Sequence, residues 1–184
     1  RRWGFIPVPI QLFLNTDTSL SVDPKNPAII LPNKPCLLRY GIENSDKQSF
    51  IACFAYFYAY KHKLVDVPSI SDMKDILSDK QVITLDMFTQ YHNGNLVSIF
   101  KPKDFTQWSI DITLYSNTRF YKTIRLEDET QLDHLENTIA SYENFLKYIL
   151  DEKSEINHVH LWDFFCERNT QLLRDGMNLI ILHI

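Results

Sequence analysis

Apolar residues in this chain fall into short bursts, and the spacing inside each burst points to a different element. The longest burst lies within Leu37–Tyr60, LLRYGIENSDKQSFIACFAYFYAY. An extended apolar run turns at Gly41. Ser45 is then placed as a helix N-cap, and Gln48 three residues later completes a capping box. From Phe50 to Tyr60 every side of the helix is apolar or aromatic, the pattern of a helix buried all round. A buried central helix running to about Leu64 is therefore expected.

The remaining elements follow from period and punctuation. Residues 1–16 read as an extended lead-in or a short helix after Pro9, and 17–35, with Pro24, Pro27, Pro32 and Pro35, as a loop. Cys36–Tyr40 suits a short strand. A helix opens at Pro68-Ser69, capped by Ser69 or Ser71, and ends near Asp79. Thr84–Tyr91 gives another, stopped by His92-Asn93-Gly94, where Asn and Gly suit a left-handed cap. Asn95–Phe100 fits a short helix or a strand. Trp108, Ile110, Ile112 and Leu114 alternate with polar residues, a period of two that predicts a strand.

Leu135, Ile139, Tyr142, Leu146 and Ile149 mark one face of a helix over Asp133–Asp151. Asn157 caps a further helix, HVHLWDFFC, and Asn178–Ile184 reads as a buried strand. The sum is a helix-rich α+β or α/β chain without internal repeats, divided into a lead-in and loop (1–35) and a folded domain (36–184). It starts on Arg-Arg and stops inside an apolar stretch, so it reads as part of a longer protein.

Composition narrows the function classes. With 45% hydrophobic and 13% aromatic residues the chain can build a core. Only 4 glycines occur, where about 13 are expected at roughly 7% usage, which disfavours glycine-rich phosphate loops. A net charge of −4 and a pI near 5.8 give no global reason for nucleic-acid binding. Lys61-His62-Lys63, Lys101 with Lys103, and Arg119, Lys122 and Arg125 read as solvated surface. Cys36, Cys53 and Cys166 lie far apart in apolar surroundings, which suggests buried, reduced thiols in a cytosol-like compartment. No stretch is apolar enough to span a bilayer, no metal-ligand spacing occurs, and no cofactor is expected.

Few residues could do chemistry. Ser49 falls in the first turn of the long aromatic helix, where free N–H groups and the dipole favour an anion. It is either a nucleophile position or an ordinary polar residue of that turn. Asp46 is expected at N1, complementing the dipole. His158 and His160 share one helix at i, i+2 and point in different directions, so they form no two-His metal site. His92, His158 or the terminal His183 are the candidate bases for Ser49. The aromatic run Phe54–Tyr60 is expected to pack in a core, since helical spacing spreads its rings around the axis.

Two resemblances add to this. RRWGFIPVPIQLFL (1–14), LLRYGIENSDKQSFIACFA (37–55), FTQYHNGNLVSIF (88–100) and HLWDFFCERNTQLLRDGMNLIILHI (160–184) resemble large proteins of nucleocytoplasmic large DNA viruses, of the kind described as similar to the poxvirus early transcription factor large subunit. The resemblance implies other viral proteins, of early transcription or the virion, as partners, and the virus factory or virion as location.

Asp46-Lys47-Gln48-Ser49-Phe50 is also similar to the Asp-x-x-Cys motif of ovarian-tumour-type (OTU) deubiquitinases, which are papain-like cysteine proteases. Leu161–Cys166 followed by Asn178–Ile184 is similar to that family's later helix and strand. This implies an α+β fold, papain/OTU-like, with the buried central helix packed on a small sheet, and a ubiquitin-like protein as a possible ligand. Serine replaces the thiol, the motif lacks its glycine, and the family's histidine would fall beyond Ile184. A serine hydroxyl supplies no thiolate at neutral pH. The expectation is a non-enzymatic binding or scaffold domain, with an OTU-like hydrolase as the alternative.

Overall fold

The computed structural model describes residues 3–34, 36–103 and 110–182. They form a helix-rich α+β chain with one two-stranded antiparallel sheet. The chain divides into two units, one running to Glu43 and including the chain from Leu179, the other Asn44–Asn178.

In the first unit, β1 (Trp3–Phe5) pairs with β2 (Leu38–Tyr40) in the register Trp3–Tyr40, Gly4–Arg39, Phe5–Leu38. Alternation puts Trp3, Phe5, Leu38 and Tyr40 on one face, and the Trp3 and Tyr40 rings meet edge-on at 4.7 Å. On the other face a Cβ at Gly4 would stand 3.1 Å from the Arg39 side chain, which would have to shift slightly to admit it. The short helix α1 (Val8–Phe13) starts with proline in its first turn. Asp17 caps a 3-10 turn at Thr18–Ser21, and Gln11 ties the two by accepting from Thr18 N–H and Oγ1. An isolated bridge, Val22 to Ile30, closes the proline-rich loop.

The second unit carries α2 (Ser49–His62), α3 (Ile70–Ser78), α4 (Leu85–Gln90), α5 (Leu96–Ile99), α6 (Arg119–Thr123), α7 (Glu129–Leu150) and α8 (His158–Cys166). Every buried apolar side chain among the described residues, from Ile51 to Leu173, belongs to this unit. The central element is α7, not the aromatic helix α2. Leu135, Ile139, Tyr142, Phe145, Leu146 and Ile149 are buried along it, and it packs against α3, α4 and α5. Tyr142 sends its hydroxyl to Ile83 O at 2.5 Å, so its polar tip is satisfied inside the core.

Helix starts follow the expected chemistry in most places. Ser69 and Asp72 form a complete capping box on α3, Thr84 caps α4, and Asn157 caps α8. Thr118 caps α6, and Asp86 from α4 accepts from the N–H groups of Arg119 and Phe120 at the same end. Ser69→Ala is expected to lower stability by about 1 kcal/mol in urea denaturation. His92, Asn93 and Gly94 all take positive φ, as their position after α4 predicts, and α5 resolves the 95–100 stretch as helix. At Gly176 φ is +67°, and a Cβ would lie 2.2 Å from Cys166 O, so only glycine fits.

Three expectations are corrected. The helix α2 is not buried all round: Ile51, Phe54, Ala55 and Ala59 face inward, while Cys53 is exposed and Tyr60 is 71% exposed. Both faces are apolar, so hydropathy gave no contrast between them. The two-stranded sheet belongs to the first unit, and α2, in the second, packs chiefly on α3. Ile112–Tyr115 is a 3-10 helix capped by Asp111, not a strand; Trp108 and Ser109 lie outside the described residues. Residues 178–182 have no regular structure where a strand was expected, and His183 and Ile184 lie outside the described residues.

Candidate functional site

The start of α2 holds the candidate chemistry. Ser45 acts one turn earlier than expected: its Oγ accepts from Lys47 N and Gln48 N in a turn ahead of the helix. The helix itself begins at Ser49, with Gln48 at the N-cap and no side-chain capping bond. Asp46 thus stands two residues before the N-cap, exposed, and not at N1. Gln48 does not reach back in a capping box. Its buried amide donates to Asp151 O (2.9 Å) and Ser154 O (3.0 Å), and its oxygen accepts from Lys74 Nζ (3.3 Å). Lys47 adds Nζ to Lys153 O and its own carbonyl to Ile156 N–H. The first turn of α2 is therefore clamped to the loop between α7 and α8.

Ser49 is half-buried, and its hydroxyl is engaged on both sides by one neighbour. Oγ accepts from Ser45 N–H at 3.0 Å and donates to Ser45 O. No histidine among the described residues hydrogen-bonds it. His158 packs its ring against Phe50 (6.1 Å) and Trp162 (6.3 Å). His92 has a different neighbourhood, with its N–H on Asp163 Oδ2 at 2.6 Å and its ring 6.2 Å from His160. His183 lies outside the described residues. Ser49 is thus in the expected turn, but neither described candidate base is brought to its hydroxyl.

One turn along α2 from Ser49 lies Cys53; although the residue is exposed, partial desolvation by its surroundings pushes its thiol up, away from thiolate. The three cysteines are free, but none is fully buried; Cys53 is exposed and the other two are half-buried. Among the described residues no group of His, Cys, Asp or Glu could hold a metal ion, and no helix is long and apolar enough to cross a membrane. The first unit has an open cavity of about 410 Å³ beside Thr16, Asp17, Ser21, Cys36 and Leu37. Its carboxylate, Asp17, is held below its usual range by hydrogen bonds from Ser19, a local turn contact.

The sequence reading missed two features. Lys74 occupies the inward side of α3 among Ile70, Met73 and Leu77, and is only 4% exposed. Its i+4 placement from Ile70 was the available signal. Lys80, Tyr115 and Glu143 form the other: Lys80 Nζ reaches Tyr115 Oη at 2.9 Å and Glu143 Oε1 at 2.5 Å, and Tyr115 donates to the same carboxylate. Burial, the hydrogen bond to Glu143 and its charge push the Tyr115 phenol far up, so the group is a neutral donor. Such a network ties the 3-10 turn to α7 and supplies no nucleophile.

Against this geometry, no family model, curated protein or solved structure matches the chain.

Proposed function

We propose that this chain is a binding or scaffolding segment that docks a protein partner through the apolar side chains of its first unit. The observation that carries the reading is the direction of those side chains. Trp3 (62% exposed), Leu12 (74%), Phe13 (67%), Val8, Leu20 and Leu37 all meet solvent, and among the described residues no apolar side chain of that unit is buried. Monomeric proteins rarely leave more than a few hundred Å² of contiguous apolar surface uncovered.

The charge of the segment selects the kind of partner. Over residues 1–43, Arg1, Arg2, Lys25, Lys34 and Arg39 are offset in part by Asp17, Asp23 and Glu43, leaving a net charge of only +2. A weakly charged surface rich in exposed apolar and aromatic side chains suits an apolar protein face better than a polyanion or an anionic membrane, which select for many basic residues. The resemblance to large DNA virus proteins makes viral transcription or virion components the partners of choice.

The hydrolase alternative is disfavoured by the two hydrogen bonds that hold the Ser49 hydroxyl on Ser45. A nucleophilic serine needs a base at hydrogen-bond reach. Capture of partners from infected cells tests the proposal. Leu12→Ser with Phe13→Ser changes two exposed side chains and leaves the core intact, so it should abolish capture without lowering stability. Recovery of neither RNA polymerase subunits nor virion proteins by the wild-type chain would overturn it.

A further inference from the structure

His160 points into a cluster that the proposed docking surface does not use. Its ring meets Phe100 (5.2 Å), Tyr148 (6.0 Å) and His92 (6.2 Å), all close to edge-on. Its Nδ1 is buried with no hydrogen-bond partner. The neutral ring can keep its proton on Nε2 and leave Nδ1 a bare lone pair. A second proton would have to sit on Nδ1, with no acceptor to receive it.

The opposing turn is held in an unfavourable conformation. His92 and Asn93 both adopt left-handed φ, 53° and 54°, ahead of Gly94 at 76°. Consecutive left-handed residues other than glycine are strained and persist only where the surroundings hold them. The holding contact is the 2.6 Å hydrogen bond from His92 N–H to Asp163, one turn along α8 from His160. Tyr91, just before the turn, packs its ring on Phe164 of the same helix at 5.0 Å.

We infer that the His92–Gly94 turn and α8 form an acid-sensitive clasp, closed while His160 is neutral and opened when its ring takes up a second proton.

The titratable groups around His160 fit this direction. From the turn, the neighbouring His92 disfavours a charge on it, and Tyr91 is a neutral phenol. From α7, Tyr148 is neutral, its hydroxyl donating to Glu155 O, and burial followed by the Glu155 charge pushes the phenol up. From α8 itself, the Asp163 carboxylate is already engaged by the His92 N–H. Burial, and then the neighbouring His92, hold His160 below its ordinary value.

The sign follows from proton uptake. The unfolded chain binds a proton on this residue near pH 6.5, while the closed clasp does so only at lower pH. Between those two values the open form binds more protons, so closure weakens as pH falls below about 6.5.

Amide hydrogen exchange with the intact chain, expressed as protection relative to intrinsic rates, reads the clasp directly. Protection at His92, whose N–H is held by Asp163, and at Gly94, whose N–H is held by Tyr91 O, should fall at least tenfold between pH 7.5 and 5, while that of the Leu135–Ile149 core holds. His160→Phe should remove the pH dependence, and His92→Gln should raise the His160 NMR titration midpoint. Equal loss of protection in α7 would mean global acid unfolding and would overturn the local clasp. A wild-type His160 midpoint at or above 6.5 would overturn it too, even if the variants fail to fold.

Discussion

Replacing Phe145 by alanine is expected to lower stability by about 3–5 kcal/mol, the usual range for a fully buried aromatic. The residue lies on the inward face of α7 and has no solvent exposure. Its ring meets Phe100 at 4.9 Å, Phe88 at 5.3 Å and Phe164 at 5.4 Å. Those rings come from α4, from the end of α5 and from α8, so one side chain joins three elements to α7. Truncation removes the transfer free energy of the ring and leaves a cavity that rigid neighbours cannot close. Phe145→Leu should lose much less. Urea denaturation checks both: the midpoint moves and the slope stays constant if the variants remain two-state. A shift under 1 kcal/mol for Phe145→Ala would mean that α7 is not the core helix.

Gln48→Leu should be the most damaging change at the α2 start, at about 3 kcal/mol. It removes a hydrogen bond to a charged group, about 1.5–3 kcal/mol, and two amide-to-carbonyl bonds of about 1 kcal/mol each, partly offset by apolar burial. The larger part comes from Lys74, whose ammonium loses the Gln48 oxygen while its stem stays among Met73 and Leu77. Adding Lys74→Met should therefore recover about half of the loss, because the stranded charge goes with it. A double-mutant cycle measures this. Simple additivity of the two changes would show that Lys74 finds another partner and that Gln48 acts only through the loop at Asp151 and Ser154.

Much of the second unit was legible because its signals are local. Ser69, Thr84 and Asn157 each start a helix by a side-chain oxygen that accepts from the backbone: Asn157 caps as expected, Ser69 is the one of the two offered serines that caps α3, and Thr84, expected as the first helical residue, is the N-cap of α4. Leu135 to Ile149 kept helical spacing with polar residues between, so the end of α7 was read within one residue, while its polar first turn from Glu129 was missed. The left-handed turn at His92–Gly94 followed from Asn and Gly at the end of a helical pattern.

Other features were hidden for physical reasons. In α2 an outward Cys53 and Tyr60 look as apolar as an inward Phe54 and Ala59, so period could not tell surface from core. Ser45 and Gln48 have capping-box spacing, but tertiary partners at Asp151, Ser154 and Lys74 claim the Gln48 side chain. The alternation at Ile110–Leu114 yields to Asp111, whose carboxylate accepts from Thr113 N–H and starts a 3-10 turn. For the candidate site, sequence located Ser49 in a helical first turn, but the hydroxyl's two bonds to Ser45 depend on a backbone turn that no motif encodes.

The proposed function separates two regions of the chain that a catalytic reading would merge. Docking depends on Leu12, Phe13 and their neighbours in the first unit; hydrolysis would depend on Ser49 in the second. The most direct measurement is affinity capture from infected cells with three proteins side by side: wild type, Leu12→Ser with Phe13→Ser, and Ser49→Ala. The account predicts that wild type and Ser49→Ala retain the same viral transcription or virion proteins and that the double variant loses them. Capture unaffected by the double variant, or cleavage of ubiquitin substrates that disappears in Ser49→Ala, would contradict it.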